Sequence, residues 1–210
     1  DQDAPPPLGG LLEQVAASPS LARVLEIHRR GDAEVDLTAV PGVRPWVAAA
    51  LAREMEADGG VVLLVTATGR ESEDLAASLR SVLPPSSVVV FPSWETLPHE
   101  RLSPRSDTVG QRLAVLRRLA HPGSDDHDGP VRVVIAAVRS LLQPIPTGLG
   151  DLEPVSVQAG QERDLEEVAQ ALVAAAYTRT DLVEKRGEFA VRGGILDVFP
   201  PTEDHPLRLE

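Results

Sequence analysis

The chain has 210 residues and a net charge of −12. An acidic chain repels phosphate backbones, and with aromatics at only 3% it has little surface for stacking bases, so general nucleic-acid binding is disfavoured. The absence of cysteine excludes disulfides, thiol catalysis and cysteine-ligated metal.

Residues 1–10 read as a flexible tail. Leu11 to Arg30 reads as a helix interrupted at Ser18-Pro19-Ser20, with Leu21, Val24, Leu25 and His28 at helical spacing and Gly31 as its stop. His28 alone reads as a surface histidine. Glu34 to Thr38 is an expected short strand. Val40 to Trp46 leads into a helix over Val47 to Ala57. An apolar strand follows, Val61 to Val65, and then a helix to Leu83. Thr68 and Glu71 have the spacing of a capping box, in which hydroxyl and carboxylate each take a free backbone N–H. Leu75, Leu79, Val82 and Leu83 are that helix's expected buried face, and Pro84-Pro85 ends it. Val88 to Phe91 is a second buried strand, Pro92 to Pro104 a loop, and Ser106 to Leu119 a helix with Val109, Leu113 and Leu116 on its apolar side. His121 to Pro130 is a polar loop. Its Asp125, Asp126, His127 and Asp128 lack calcium-loop spacing and read as solvated rather than metal-binding. Val131 to Val138 is a third buried strand, and Ser140 to Gln143 a helical turn.

Alternation of strand and helix from Val61 to Val138, with nearly continuous apolar strands, predicts an α/β fold built on a parallel sheet covered on both faces. Pro144 to Gly150 is the linker expected to close this 11–150 domain. Residues 151–210 then read as a small α+β domain: a strand at Pro154 to Val157, and a helix opened by Asp164 and Glu167 with a stripe of Leu165, Val168, Ala169, Leu172 and Ala176. Short strands follow at Glu188 to Arg192 and Ile195 to Phe199, split by a Gly193-Gly194 hairpin turn. A last strand has only begun at Leu207 to Glu210, which reads as part of a longer chain. No apolar run is long enough for a membrane span, and the acidic, proline-rich start is unlike a secretory signal, so the expected setting is cytoplasmic.

Tyr177 to Pro200 gathers Arg179, Lys185, Arg186 and Arg192, and Lys185 is the chain's only lysine. Period-two alternation separates Phe189 and Val191 from Glu188, Ala190 and Arg192, giving an apolar side and a charged side. No nucleophile, base and orienter are grouped there, so a binding surface fits better than an active site. By pattern alone an ordinary solvated face fits as well.

Nucleotide chemistry is tested by the phosphate loop, which needs glycines for close backbone approach and a lysine for the β and γ phosphates. Gly42 to Trp46 lies where that loop belongs, with one glycine, two prolines nearby (Pro41 and Pro45) and no lysine. The G-x-S-x-G elbow, H-E-x-x-H, H-x-E and G-x-G-x-x-G are also missing, so no catalytic residue, metal site or cofactor is expected in this chain. Glu166 and Glu167 read as exposed helix acids without a catalytic role.

Phe91 to Pro104 (F-P-S-W-E-T-L-P-H-E-R-L-S-P), Ser106 to Leu113 (S-D-T-V-G-Q-R-L) and Tyr177 to Pro200 together resemble the bacterial transcription-repair coupling factors, the Mfd family. The last stretch is also similar to the excision-repair subunit UvrB, and V-T-A-T-G-R-E at Val65 to Glu71 sits like a post-strand motif of helicase-type domains. The resemblance covers about residue 40 onward. It implies a degenerate helicase-like α/β domain followed by a small domain that binds UvrA. In such a protein the ATP- and magnesium-dependent motor, and the contacts to RNA polymerase and double-stranded DNA, belong to other parts of the chain, and no membrane is involved. Carried over by motif position, the UvrA-facing residues are Arg179, Arg192, Arg208 and Glu210; Arg186 and Phe189 also match the motif. Ala190 stands where UvrB has arginine. The stretch from Trp94 to Thr108 is too short and too poor in aromatics for UvrB's damage-checking hairpin. A DNA-binding domain, or a structural domain packing on the motor, is the alternative reading.

Overall fold

Every residue from Val133 to Ala137 is buried, and this strand organises the first of two compact units. The computed structural model describes residues 6–31, 34–96, 103–124 and 129–210. The first unit comprises residues 1–93 and 122–144, and the second comprises 94–121 and 145–210.

In the first unit, helices α1 (Gly9–Ala16) and α2 (Pro19–Arg29) are divided at Ser18, where proline at the first position of α2 is tolerated because its N–H would be free anyway. Residues 34–40 form no strand, unlike the expectation for Glu34 to Thr38. A 3₁₀ turn, Pro41–Val43, runs into α3 (Arg44–Glu54). Strand β1 (Val62–Thr66), helix α4 (Gly69–Arg80), strand β2 (Val88–Phe91), strand β3 (Val133–Ala137) and helix α6 (Val138–Leu142) complete the unit. The sheet is parallel in the order β1-β3-β2, with Val62 and Val88 both beside Val133. Four small residues of α3, Ala48, Ala49, Ala50 and Ala52, are buried with Leu12, Leu21, Leu25, Leu79, Val133 and Ile135 in one core. Central β3 is buried throughout, but edge strand β1 leaves Leu63 at 51% and Val65 at 54% exposure. Within this unit, then, the expected cover on both faces holds for β3 and fails for β1.

The capping box is legible in atoms. Thr68 Oγ1 accepts from Glu71 N at 3.2 Å, and Glu71 Oε2 accepts from Ala67 N at 3.2 Å, one residue ahead of the cap itself. A cap of this kind contributes about 1 kcal/mol.

The second unit begins with α5 (Ser106–Ala120), a helix that the linear reading grouped with the α/β domain. Its buried residues are Thr108, Arg112 and Val115, one position before the expected apolar stripe of Val109, Leu113 and Leu116, which are only half-buried. The cause is Arg112. Its guanidinium lies 4.3 Å from the centre of the Trp94 ring, and burial pulls its pKa down. An arginine that stacks on indole can occupy a buried helical position that a hydrophobicity pattern assigns to solvent. Two glycines allow close packing at this helix: a Cβ on Gly150 would meet Leu116 O at 2.9 Å, and one on Gly110 would meet the Pro201 side chain, Cβ, at 2.4 Å.

Residues 152–158 form no strand, unlike the expectation for Pro154 to Val157; Val155 and Val157 instead pack against the core as single side chains. Helix α7 (Leu165–Ala174) starts at Asp164, whose Oδ1 accepts from Glu166 N and Glu167 N at 2.8 and 3.0 Å. It ends in a Schellman arrangement: Tyr177 N donates to Leu172 O, and Ala176 N donates to Val173 O. Ala176 holds φ at 66°, a conformation that suits glycine. Strands β4 (Thr178–Arg179), β5 (Glu188–Arg192), β6 (Ile195–Val198) and β7 (Leu207–Leu209) form the second sheet in that order. Ala176→Gly removes the left-handed penalty at the end of α7 and adds backbone freedom to the unfolded chain. The net expectation is a gain of about 0.5–1 kcal/mol, read as a higher urea midpoint with unchanged slope.

Candidate functional site

The hairpin turn fixes the site. Gly193 and Gly194 have φ of 57° and 93°, as a two-residue type I′ turn requires, and the turn pairs Arg192 with Ile195, Ala190 with Asp197 and Phe189 with Val198. Asp197 is in turn paired with Arg208 on β7. Alternation then sorts the side chains. Phe189, Leu196 and Val198 form one core with Val168, Ala169 and Leu172 of α7. Arg192, Ile195, Asp197 and Arg208 lie on the other face. Glu188 and Phe199 extend that face, joined by Phe199 N donating to Glu188 O at 2.9 Å.

Arg208 donates from Nε and Nη2 to the two oxygens of Asp197, at 2.7 and 2.9 Å. This parallel fork is the strong geometry for guanidinium and carboxylate. The Arg208 hydrogen bond holds the Asp197 pKa below the usual carboxylate range, helped by the charges of Arg208 and Arg192 and opposed by burial. Arg192 is exposed and, among the described residues, makes no hydrogen bond or ion pair within 4 Å. Glu210 is exposed and reinforces the charge of Arg208. Arg186 is half-buried. It donates to Glu203 O at 2.9 Å, reaches Asp204 at 3.4 Å and stacks on Phe199 with 5.1 Å to the ring centre.

Two of the motif-matched residues do not join this face. Phe189 is fully buried in the core, so its side chain offers no surface to a partner; its match to the motif reflects packing. Arg179 is exposed on edge strand β4 and stands beside Phe189 in register, which puts it on the α7 side of the sheet. Ala190, where UvrB has arginine, is 2% exposed.

The sequence reading missed Asp197 as the partner of Arg208. Alternation places Asp197 on the charged face, but nothing in residues 200–206 announces the register of β7. It also missed Glu188, whose Oε2 accepts from Glu184 N at 2.9 Å and Lys185 N at 2.8 Å and so closes the loop ahead of β5.

The turn at Gly42, where the sequence suggests a remnant of a phosphate loop, is the other place to look for chemistry. Gly42 lies in the 3₁₀ turn, and Arg44 at the head of α3 pairs with Glu71 at 2.6 Å. The Glu71 carboxylate already takes a backbone N–H beside the first turn of α4. His28 is exposed, and Asp125 to Asp128 lie outside the described residues, as do Leu97 to Leu102 of the W-E-T-L-P stretch. Among the described residues, no helix is long and apolar enough to cross a membrane.

A family model described as the UvrB interaction domain matches residues 155–210, so α7 and the second sheet form a domain of that class. Over 204 residues the chain is 50% identical to the transcription-repair-coupling factor of Mycobacterium tuberculosis (strain CDC 1551 / Oshkosh), covering 97% of this chain and 16% of that protein. It is 30% identical over 150 residues to the Bacillus subtilis (strain 168) transcription-repair-coupling factor, covering 71% of this chain and 12% of that protein. It is 28% identical over 204 residues to the UvrABC system protein B of Streptomyces coelicolor, covering 80% of this chain and 28% of that protein. The chain belongs to the transcription-repair-coupling factor family and spans about a sixth of its mycobacterial relative.

The two backbone hydrogen bonds from Glu184 and Lys185 hold the Glu188 pKa below the usual range, with the Lys185 charge helping and burial opposing. A folded pKa below the unfolded one gives stability that is full above about pH 4.3 and is lost as pH falls through the lower, folded value. Glu188→Gln therefore lowers the urea midpoint at pH 7 and narrows the difference between wild type and variant at pH 3, as denaturation at the two pH values will show.

Proposed function

We propose that this chain is the part of a transcription-repair coupling factor that docks UvrA, so that excision repair reaches a stalled RNA polymerase. The carrying observation is the Arg192–Asp197–Arg208 face of the second sheet, which presents two arginines and one paired carboxylate in an acidic chain. Planar guanidinium groups suit carboxylates, and Asp197 holds one of them in a fixed pose before any partner arrives. Arg192 and Arg208, with Glu210 beside them, form the centre of the contact. Arg186 lies along the same face, and Arg179 meets the partner from the β4 edge.

The chain itself hydrolyses no ATP and holds no cofactor in this reading. Support comes from the lysine-free loop around Gly42 and from the Arg44–Glu71 pair at the head of α3. The motor, with its ATP and magnesium, and the contacts to RNA polymerase and double-stranded DNA belong to the remainder of the full-length protein, and the setting is the bacterial cytoplasm.

Titration with purified UvrA at two salt concentrations tests this. Arg192→Ala is expected to weaken binding at least tenfold, equivalent to about 1.4 kcal/mol, and Arg179→Ala less, with circular dichroism and urea midpoint unchanged. Wild-type affinity in both variants overturns the proposal. Salt-dependent binding of DNA by the isolated chain, without binding of UvrA, would favour a nucleic-acid role instead.

A further inference from the structure

Beside Phe199 the second unit has an open cleft of about 350 Å³ with Arg105, Asp107, Glu184, Lys185 and Arg186 among its lining residues. Its charges are not equivalent. Asp107 is already satisfied, taking Arg105 Nη2 at 2.7 Å and the backbone N–H of Thr108 at 2.9 Å. Arg186 spends its Nε on Glu203 O and has an Nη2 contact with Asp204, while its plane rests on the Phe199 ring. The Lys185 ammonium is exposed, and among the described residues it makes no hydrogen bond or ion pair within 4 Å. The backbone N–H of Lys185 is tied to Glu188, which fixes where its side chain begins. The cleft thus combines an apolar floor, a held guanidinium and an ammonium that pulls on Glu188 only through its charge, beside the carboxylates of Asp107 and Glu184.

Its position gives it a use. Phe199 pairs with Glu188 across the hairpin, and alternation puts both on the face that carries Arg192, Asp197 and Arg208. Glu188 and Arg192 are four residues apart, about 13 Å at the rise of a strand. Cations therefore stand at both ends of one face, with the Asp197–Arg208 pair between them.

We propose that this cleft is a second acid-binding point of the docking face, taking an aspartate or glutamate side chain of UvrA between Lys185 and Arg186. The inference rests on the docking reading above and deepens it by naming the partner chemistry at a place where the family motif supplies only one of the residues. A carboxylate entering the cleft meets the Lys185 ammonium and the free edge of the Arg186 guanidinium, while its methylene stem lies on Phe199. A rim contact of this kind acts mainly on association and is screened by salt.

The experiment is titration of the whole chain with purified UvrA at 50 and 300 mM salt, using Lys185→Glu, Lys185→Ala and Arg192→Ala. Arg139→Glu, an exposed position on the other unit, controls for net charge. The expected result at low salt is at least fivefold weaker binding for Lys185→Glu and about twofold for Lys185→Ala, from loss of one screened charge pair, with both differences shrinking at high salt and Arg139→Glu near wild type. Because Lys185 is the only lysine, an amine-reactive ester followed by mass spectrometry reads its exposure directly, and UvrA is expected to protect it. If Lys185→Glu binds as wild type while Arg192→Ala is weakened, the cleft is not a contact and the docking reading survives. Equal weakening by Arg139→Glu also overturns the cleft, because net charge alone would then explain the effect. If no variant weakens binding, or wild type does not bind, the docking reading falls and takes this inference with it.

Discussion

The contact of Phe189, Leu196 and Val198 with Val168, Ala169 and Leu172 is the constraint on which the second unit depends. A strand shows its residues alternately to two sides, so burying these three fixes the opposite side as well. Slipping the hairpin by one residue would turn Arg192 and Asp197 into the core and expose Phe189. Each such burial of charge is far costlier than any single ion pair on the surface can repay. The charged face is therefore a consequence of core packing, and the Gly193-Gly194 turn sets its register. This also explains why a motif match alone misassigns Phe189. A motif records which residue types the fold needs in order, and some of them are needed on the inside.

How much was legible follows the range of the interactions. The hairpin, the Thr68 and Asp164 caps and the parallel strands rest on contacts within a few residues or on long apolar runs, and the sequence reading anticipates them. The failures have nonlocal causes. Arg112 is buried with its guanidinium over the ring of Trp94, eighteen residues earlier. Val155 and Val157 look like a strand because they alternate, but they pack on the core, and among the described residues no strand pairs with them. Helix α5 joins the second unit through Gly110 and Gly150, whose missing side chains admit Pro201 and the Leu116 carbonyl. None of these partners is marked by spacing in the chain. The candidate face was legible in composition, since four cations crowd into one stretch, but its geometry was not. Arg179 and Arg192 fall on opposite sides of the sheet because β4 pairs with β5 in parallel register, which no local pattern encodes.

The two halves of the cationic face differ in what a partner must do. Arg208 already has a bidentate carboxylate, so an acid from outside must either displace Asp197 or share the guanidinium from its free edge. Displacement gains little, because one charged pair is exchanged for another. Arg192 is open and has only the distant pull of Asp197. A new pair there forms without breaking an old one, and its cost is the ordering of one side chain. For a docking face of this design, discrimination between partners falls mainly to Arg192. Arg208, held by Asp197, acts as a fixed template that sets the orientation in which the open cation is met. The net negative charge of the chain adds a general repulsion of acidic partners, against which the arginines of this face favour one orientation.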